Sequence, residues 1–319
     1  MVGRTQVARS KRIQRRTGKT FHVATRLLPK RIRHPTYVLY GFFRTADEIV
    51  DAEETLPPDE QRAEFERLRR IAVGEEPTDD PVLDAFATVR EEHGIAAADV
   101  HAFLDAMESD IDTERYETYA ELEAYMNGSA AAVGRMMTTI MDVERPELAL
   151  PHATKLGEAF QMTNFLRDVR EDVVDRDRVY LPVETLRDHG VDERQILNLE
   201  FDDDVAAAIR TELTRTERLY EEGVAGIKYL PEDCQLAVLL AAVLYADHHR
   251  LIRNLGYDTL STTPALSFRR KIGLLVRTRW KWQWNRDPES IFYEVSHGFD
   301  SDAGRHGHGP PDPTILRTD

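Results

Sequence analysis

Cysteine is almost missing: Cys234 is the only one in 319 residues, so an intrachain disulfide and a thiolate metal cluster are both excluded. Long apolar runs are missing as well. The longest, Cys234 to Ala246, is too short to cross a bilayer and reads as a buried helix. The chain opens on basic residues (Arg4, Arg9, Lys11, Arg12, Arg15, Arg16) with no apolar core behind them, which argues against secretion. The expected location is cytoplasmic, with any membrane contact peripheral. Strand-like alternation is absent, and so is a Gly-rich strand-to-helix turn of the kind that holds a dinucleotide. Lysine is scarce, supplying 7 of the 42 basic residues.

Carboxylate is what the chain has in excess. The 57 Asp and Glu give a formal net charge of −15, which excludes nucleic acid as a main partner because phosphate binding needs a cationic face. So acidic a surface suits a salt-rich cytosol, where repulsion is screened and carboxylates stay hydrated. Basic patches remain at the N-terminus and around Arg269, Arg270 and Lys271. Anionic lipid and plain solvation both account for them, with solvation favoured.

Periodic apolar positions predict helices over about 34–55, 60–73, 80–93, 96–109, 118–142, 150–174, 203–229, 233–256 and 265–283. Pro57-Pro58, Gly74, Pro77, Gly94, Pro146, Pro182, Gly190, Pro231 and Gly256 fall between them as breaks. The expected fold is all-α, a single-domain helical bundle around a central cavity, with sites built from side chains on facing helices. A basic segment (1–17) would precede the helical domain (18–297), and a Gly/Pro/Asp/His-rich stretch (298–319) reads as a disordered tail in which His306 and His308 are incidental.

Two segments stand out. Asp47 with Asp51, and Asp168 with Asp172, are spaced four apart, so each pair lies on one helix face and can offer two carboxylates to one divalent cation. Such pairs are common in an acidic chain: about ten are expected by chance, mostly on solvated faces, and Glu108 with Asp112 is read as one of those. The chosen pairs differ in emerging from apolar runs, Tyr-Val-Leu-Tyr-Gly-Phe-Phe-Arg before Asp47 and Gln-Met-Thr-Asn-Phe-Leu-Arg before Asp168. Buried carboxylates without partners are costly, so a cation becomes a physical need. Oxygen-only donors favour a hard ion such as Mg²⁺. Gln161 and Asn164 extend the second pair into one polar stripe, which needs a common partner. Beyond Asp175 and Asp177 a loop is expected to fold over the site. Apolar walls are expected from Phe42, Phe43, Ala130 to Val133, Phe160 and Phe165, with ordinary helix packing the equal alternative for each.

With Gly18-Lys19-Thr20-Phe21, Tyr40 through Asp51, Tyr125 with Gly128 to Gly134, and Gln161 through Pro182, the chain resembles the squalene/phytoene synthase family over nearly its whole length. Within that family the resemblance is strongest to bacterial and archaeal phytoene synthases, those of halophilic archaea in particular. It implies an isoprenoid synthase fold that joins two prenyl diphosphates head to head. Asp47, Asp51, Asp168 and Asp172 match the family's Mg²⁺-binding aspartates, with Mn²⁺ an expected substitute. Arg44, Tyr40 and Tyr245 match its catalytic positions. Lys19, Thr20, Tyr125, Gln161, Asn164, Arg167, Arg178 and Tyr180 match its substrate-binding ones. Two departures are visible: Thr20 stands where Ser is usual, and the interval from Asp172 to Arg178 is one residue longer than in some relatives.

The implied activity is a phytoene synthase acting on two geranylgeranyl diphosphates through a cyclopropyl diphosphate, with no NADPH. A squalene or dehydrosqualene synthase using farnesyl diphosphate is the alternative, and a non-catalytic lipid-binding helical protein is the rival outside enzymology. The proton acceptor stays open between Tyr40, Tyr245 and released diphosphate, and oligomeric state is not readable.

Overall fold

Why the chain breaks where it does is visible at each helix end. The computed structural model describes residues 25–51 and 56–296, and all regular structure among them is helical. The basic segment 1–17, the tail from 298 with His306 and His308, and Lys19 and Thr20 lie outside the described residues. Helix α1 runs Lys30–Asp51. Pro58 opens α2 (Pro58–Val73) at a position whose missing N–H would have had no partner, and Gly74 closes it in the left-handed region at φ 86°. Asp80 caps α3 (Pro81–His93), accepting from Val82 N at 2.7 Å, and Gly94 ends it at φ 71°. Helix α4 spans Ala97–Ser109 and α5 Tyr119–Met126.

The span expected as one helix over 118–142 is interrupted by a single π turn, Asn127–Ala131, before α6 (Ala132–Ile140). A π turn admits one extra residue, and such turns cluster at functional sites. Here it brings Ser129 and Ala130 to a cavity wall. Helix α7 (Pro146–Arg167) and α8 (Val169–Arg176) follow, then the short α9 (Val183–Asp188) and α10 (Glu193–Leu197). Asp202 caps α11 (Asp203–Val224), and α12 (Glu232–Asn254), α13 (Phe268–Trp282) and α14 (Pro288–Val295) complete the order. Among the described residues the sole β-type pairing is a parallel bridge between Arg115 and Val179.

Helix α7 is central, packing on α11, α6, the π turn and α12. One main core joins the buried faces of α1 to α7, α11 and α12, and a smaller apolar cluster gathers Leu166, Val173, Val179, Leu181 and Ile196 beneath the loop after α8. Close approach between helices depends on glycine. A Cβ on Gly157 of α7 would sit 2.7 Å from the Ala130 carbonyl oxygen, and one on Gly128 would run into the Ala102 carbonyl oxygen and the Ala106 Cβ of α4. The domain is thus a single all-α bundle whose π turn is clasped between α4 and α7.

A Cβ at Gly128 forces backbone apart, so Gly128→Ala should destabilise by about 1–3 kcal/mol. Gly273→Ala is the control. Nothing lies within 4 Å of its added carbon, and the helix gains up to about 1 kcal/mol from the better former. Thermal melts followed by far-UV circular dichroism should show opposite shifts.

Candidate active site

The last three turns of α1 carry Tyr40, Arg44, Asp47 and Asp51 at steps of four, three and four, which places them along one face. All four line a cavity of about 640 Å³ at the centre of the bundle. Arg44 Nη1 donates to Asp47 Oδ2 one turn away. Burial pushes the Asp47 carboxyl above its ordinary value, against the pull of Arg44.

Across the cavity, α7 and α8 carry Gln161, Asn164, Asp168 and Asp172. The helix relaxes at Asp168, where φ is −100° and ψ 15°. Its register nevertheless continues: Asp168 N donates to Asn164 O at 2.8 Å and Asp172 N to Asp168 O at 2.8 Å. The polar stripe expected from the spacing therefore survives the break. Arg167 Nε donates to Asp168 Oδ1 at 2.6 Å while its Nη2 reaches Oδ2, a two-point clamp.

Arg176, the last residue of α8, ties the halves together. Its Nε donates to Asp51 Oδ2 at 3.1 Å and its Nη1 to Asp172 Oδ1 at 3.0 Å. Asp177 then turns the chain back in the left-handed region at φ 53°, a conformation Asp tolerates better than most residues. The returning strand lies along the segment before α5, with Val179 N donating to Glu114 O at 3.1 Å and Val183 N to Tyr116 O at 2.9 Å. That is the loop expected to fold over the site. It aims Arg178 inward, where Nη2 donates to the Asp110 carbonyl at 2.7 Å and Nη1 lies 3.7 Å from both Asp51 Oδ1 and Asp110 Oδ2.

Asp110 is buried just past the end of α4, and Tyr125 Oη donates to its Oδ2 at 3.1 Å. Burial pushes Asp110 up to about 7, with Arg178 opposing. The same cause takes Asp172 up to about 7, opposed by Arg176. Tyr180 stacks on Phe165 at 3.9 Å between ring centroids, with Tyr116 and Tyr125 each at 6.0 Å. Burial raises the Tyr180 and Tyr125 phenols, keeping both protonated. Tyr245, from α12, stacks on Phe160 at 4.6 Å. Its phenol is raised by burial too, opposed by Arg167, and Tyr40 is close enough to raise it further.

Every expected site residue within the described part of the chain lines this one cavity: Tyr40, Arg44, Asp47, Asp51, Tyr125, Gln161, Asn164, Arg167, Asp168, Asp172, Arg178, Tyr180 and Tyr245. Sequence reasoning missed two. Arg176 is one charge among several at the end of α8, and nothing in the local run marks it out. Asp110 lies between Glu108 and Asp112, which pair with Arg69 at 2.7 Å and Arg62 at 2.6 Å on the outer surface, as the bland reading of that pair expected. Nothing in the run Glu-Ser-Asp-Ile-Asp distinguishes its middle carboxylate. Among the expected walls, Phe43, Ala130, Val133, Phe160 and Phe165 face the cavity. Phe42, Ala131 and Ala132 do not line it: the two alanines are buried in helix packing, and Phe42 turns away to stack on Phe86 of α3 at 3.7 Å.

The donors are all oxygen, which suits a hard cation. Among the described residues no three His, Cys, Asp or Glu side chains converge into a ready metal cage. A Mg²⁺ ion does not require one, since it binds through one or two carboxylates, waters and substrate phosphates.

Residues 14–272 match the family described as Squalene/phytoene synthase. A phytoene synthase of Rhodobacter capsulatus is 35% identical over 271 residues, covering 82% of this chain and 78% of that protein. A phytoene synthase of Thermus thermophilus is 34% identical over 261 residues, covering 78% of this chain and 84% of its own length. Among solved structures, a dehydrosqualene synthase in complex with ligand superposes with a TM-score of 0.78 at 29% identity, covering 88% of this chain and 98% of that one.

A carboxyl held above its unfolded value binds its proton more tightly in the fold. Asp110 therefore contributes stability fully present below its ordinary 3.8 and lost as the pH rises through about 7. In metal-free buffer, Asp110→Asn should flatten the fall in unfolding free energy between those two pH values, read by urea melts at a series of pH values. A slope identical to wild type would refute the burial of this charge.

Proposed function

Because the chain belongs to the squalene/phytoene synthase family, we propose that it is a phytoene synthase, a prenyltransferase that joins two geranylgeranyl diphosphates head to head. The observation that carries this reading is the meeting of two acid-and-arginine stripes across one cavity whose remaining wall is apolar. The four aspartates would hold Mg²⁺, or Mn²⁺ in its place. When bound, the ion supplies charge stabilisation for a departing diphosphate.

The chain's own residues supply the rest. Arg44, Arg167, Arg176 and Arg178 are paired with carboxylates in the free protein and stand within the same cavity, ready to take phosphate oxygens by charge-assisted hydrogen bonds. When the allylic C–O bond breaks, its electron pair leaves with diphosphate, and the carbocation must meet an alkene before it meets water. Phe43, Phe103, Met107, Met137 and Leu156 keep water out. Attack by the second chain's double bond and loss of one proton close a cyclopropane. The second diphosphate then departs, the skeleton rearranges, and loss of a second proton leaves the central double bond of phytoene. No hydride enters, so NADPH is not required. Tyr245 and Tyr40 orient the reacting groups. Burial raises the Tyr245 phenol, which disfavours it as the base and leaves Tyr40 and released diphosphate as the candidate proton acceptors.

Chain length follows from the wall. Ser129, Ala130, Gly134, Ala153, Gly157 and Ala241 line the cavity, and walls this small favour a C20 tail over a C15 one. The alternative, squalene or dehydrosqualene from farnesyl diphosphate, is favoured only by the likeness to the dehydrosqualene synthase. A silent lipid-binding protein would have no use for four facing aspartates. The product has no polar group, so the reading includes peripheral contact with lipid; among the described residues no helix is long and apolar enough to cross a membrane. The reading also includes a salt-rich cytosol of the kind halophilic archaea maintain, for which the net charge of −15 is the support.

Purified protein given geranylgeranyl diphosphate and Mg²⁺ should yield phytoene and two diphosphates by product mass analysis. Squalene formed from farnesyl diphosphate and NADPH would overturn the choice. Asp47→Asn and Asp168→Asn should each lower turnover on the order of 10²–10³-fold while the helical signal stays intact. The surface-charge reading is checked by melts at low and molar KCl. Screening shortens the Debye length from about 10 Å to about 3 Å between 0.1 M and 1 M, so the melting temperature should rise, and equal stability would sink the idea.

A further inference from the structure

All three tryptophans of the chain fall within five residues, Trp280, Trp282 and Trp284. Helix α13 packs on α12 and α14 through Leu274, Thr278 and Trp282. Its opposite face carries Phe268, Ile272, Val276 and Trp280, followed by Trp284 in the turn that ends the helix, all between 43% and 80% exposed. Steps of four make these a continuous apolar stripe. At 150–250 Å² per aromatic side chain it exposes on the order of 500 Å², the size at which a patch marks an interaction surface.

The charge around the stripe is the reverse of the molecule's. Residues 259–286 hold seven Lys and Arg and no Asp or Glu, in a chain of net charge −15. Three of these cations fix the helix to its support: Arg270 donates to Asp247 at 2.6 Å, Arg277 Nη2 to the Glu294 carbonyl at 2.8 Å, and Lys281 pairs with the Glu294 carboxylate. Arg269 and Arg279 are exposed and make no ion pair among the described residues.

We propose that this face of α13 is a docking surface for an anionic lipid bilayer. The helix lies flat in the interface, its stripe in the acyl boundary, its tryptophans at headgroup depth, and Arg269 and Arg279 on the lipid phosphates. A second copy fits poorly, because a two-fold pairing would set the basic face with Arg269 and Arg279 against the same face of the other copy. An acidic protein would satisfy the arginines but leave the stripe unexplained. Lipid satisfies both. Helix α12, on which α13 lies, contributes Ala237, Val238, Ala241 and Tyr245 to the cavity, so a single helix separates the bilayer from the site.

The surface is independent of the catalytic reading, and its deciding measurement, vesicle binding, uses no substrate. With Trp280 and Trp284 on this face and Trp282 buried on the other, two of the three tryptophans report it in the intrinsic fluorescence of the full chain. Phosphatidylglycerol vesicles should sediment the protein, shift its emission to the blue, and quench it when the lipid carries bromine on its acyl chains; phosphatidylcholine vesicles should do so far more weakly. The double variant Trp280→Glu/Trp284→Glu should lose vesicle affinity at least about 10-fold, and Arg269→Glu/Arg279→Glu should lose the preference for anionic lipid. Turnover on soluble substrate should be unchanged in both. No quenching of wild type by brominated phosphatidylglycerol would overturn the proposal whether or not the variants fold. So would a dimer in sedimentation that Trp280→Glu/Trp284→Glu abolishes.

Discussion

Four carboxylates facing one another inside an apolar cavity is the constraint on which the rest of the structure depends. Isolated buried charge is expensive, and like charges across a small gap add to the penalty. The molecule answers each aspartate with an arginine: Arg44 at Asp47, Arg167 at Asp168, and Arg176 spanning Asp51 and Asp172. The compensation is incomplete, because Asp172 and the neighbouring Asp110 are still pushed up to about 7 by burial. A site balanced this way is poised for exchange. On the proposed reading, its arginines are held by carboxylates that a dication would satisfy better, and once released they would face the anion that such a dication would accompany. Arginine suits this role where lysine would not, since its planar fork matches carboxylate and phosphate oxygens alike and keeps its charge when buried.

Holding that balance requires backbone that does not yield. Helices α1 and α7 are each 22 residues long, and both present their polar stripe only over the final turns while the rest of their length is packed. Gly128 in the π turn, Gly134 of α6 and Gly157 of α7 bring α4, α6 and α7 closer than any side chain would permit, and this is where the wall is lined by small residues. Tight packing and a roomy cavity are therefore one feature seen from two sides. The loop after α8 completes the enclosure. Its Asp177 turn places Arg176 and Arg178 on either side of Asp51, and the Phe165–Tyr180 stack with Tyr116 and Tyr125 pins the returning chain.

Much of this was legible in residues and spacing. The four aspartates, Gln161, Asn164 and the arginines preceding each pair were readable because helical periodicity is local: a step of four puts two side chains on one face whatever the tertiary structure does. Glycine and proline breaks were readable for the same reason, and Gly74, Gly94, Gly190 and Gly256 all adopt positive φ. The short α9 and α10 were not, because six and five residues are too few to show a period. Asp110 was invisible for a deeper reason. Its place in the site comes from contact with Arg178, 68 residues away, and no local pattern separates it from Glu108 and Asp112 on either side. Phe42 errs in the opposite direction: it is apolar and adjacent to the motif, but its rotation on α1 carries it to Phe86 rather than to the cavity.

The basic patch at Arg269 to Lys271 shows how burial changes the weight of a reading. From sequence, solvation and lipid were both open, and solvation was favoured because charge clusters usually sit on wet faces. That argument concerns the cations alone. Once the helix is placed, the apolar residues at 268, 272, 276, 280 and 284 are found on the outer face rather than in the core, and hydration explains arginines but not exposed tryptophans. The core had no need to leave them out, since Leu274, Thr278 and Trp282 already seal α13 against α12 and α14. An outer stripe that adds nothing to packing is costly to keep in water, and it is flanked by Arg269 and Arg279, which make no ion pair among the described residues. A phosphate-faced hydrocarbon surface removes that cost and gives the arginines a partner.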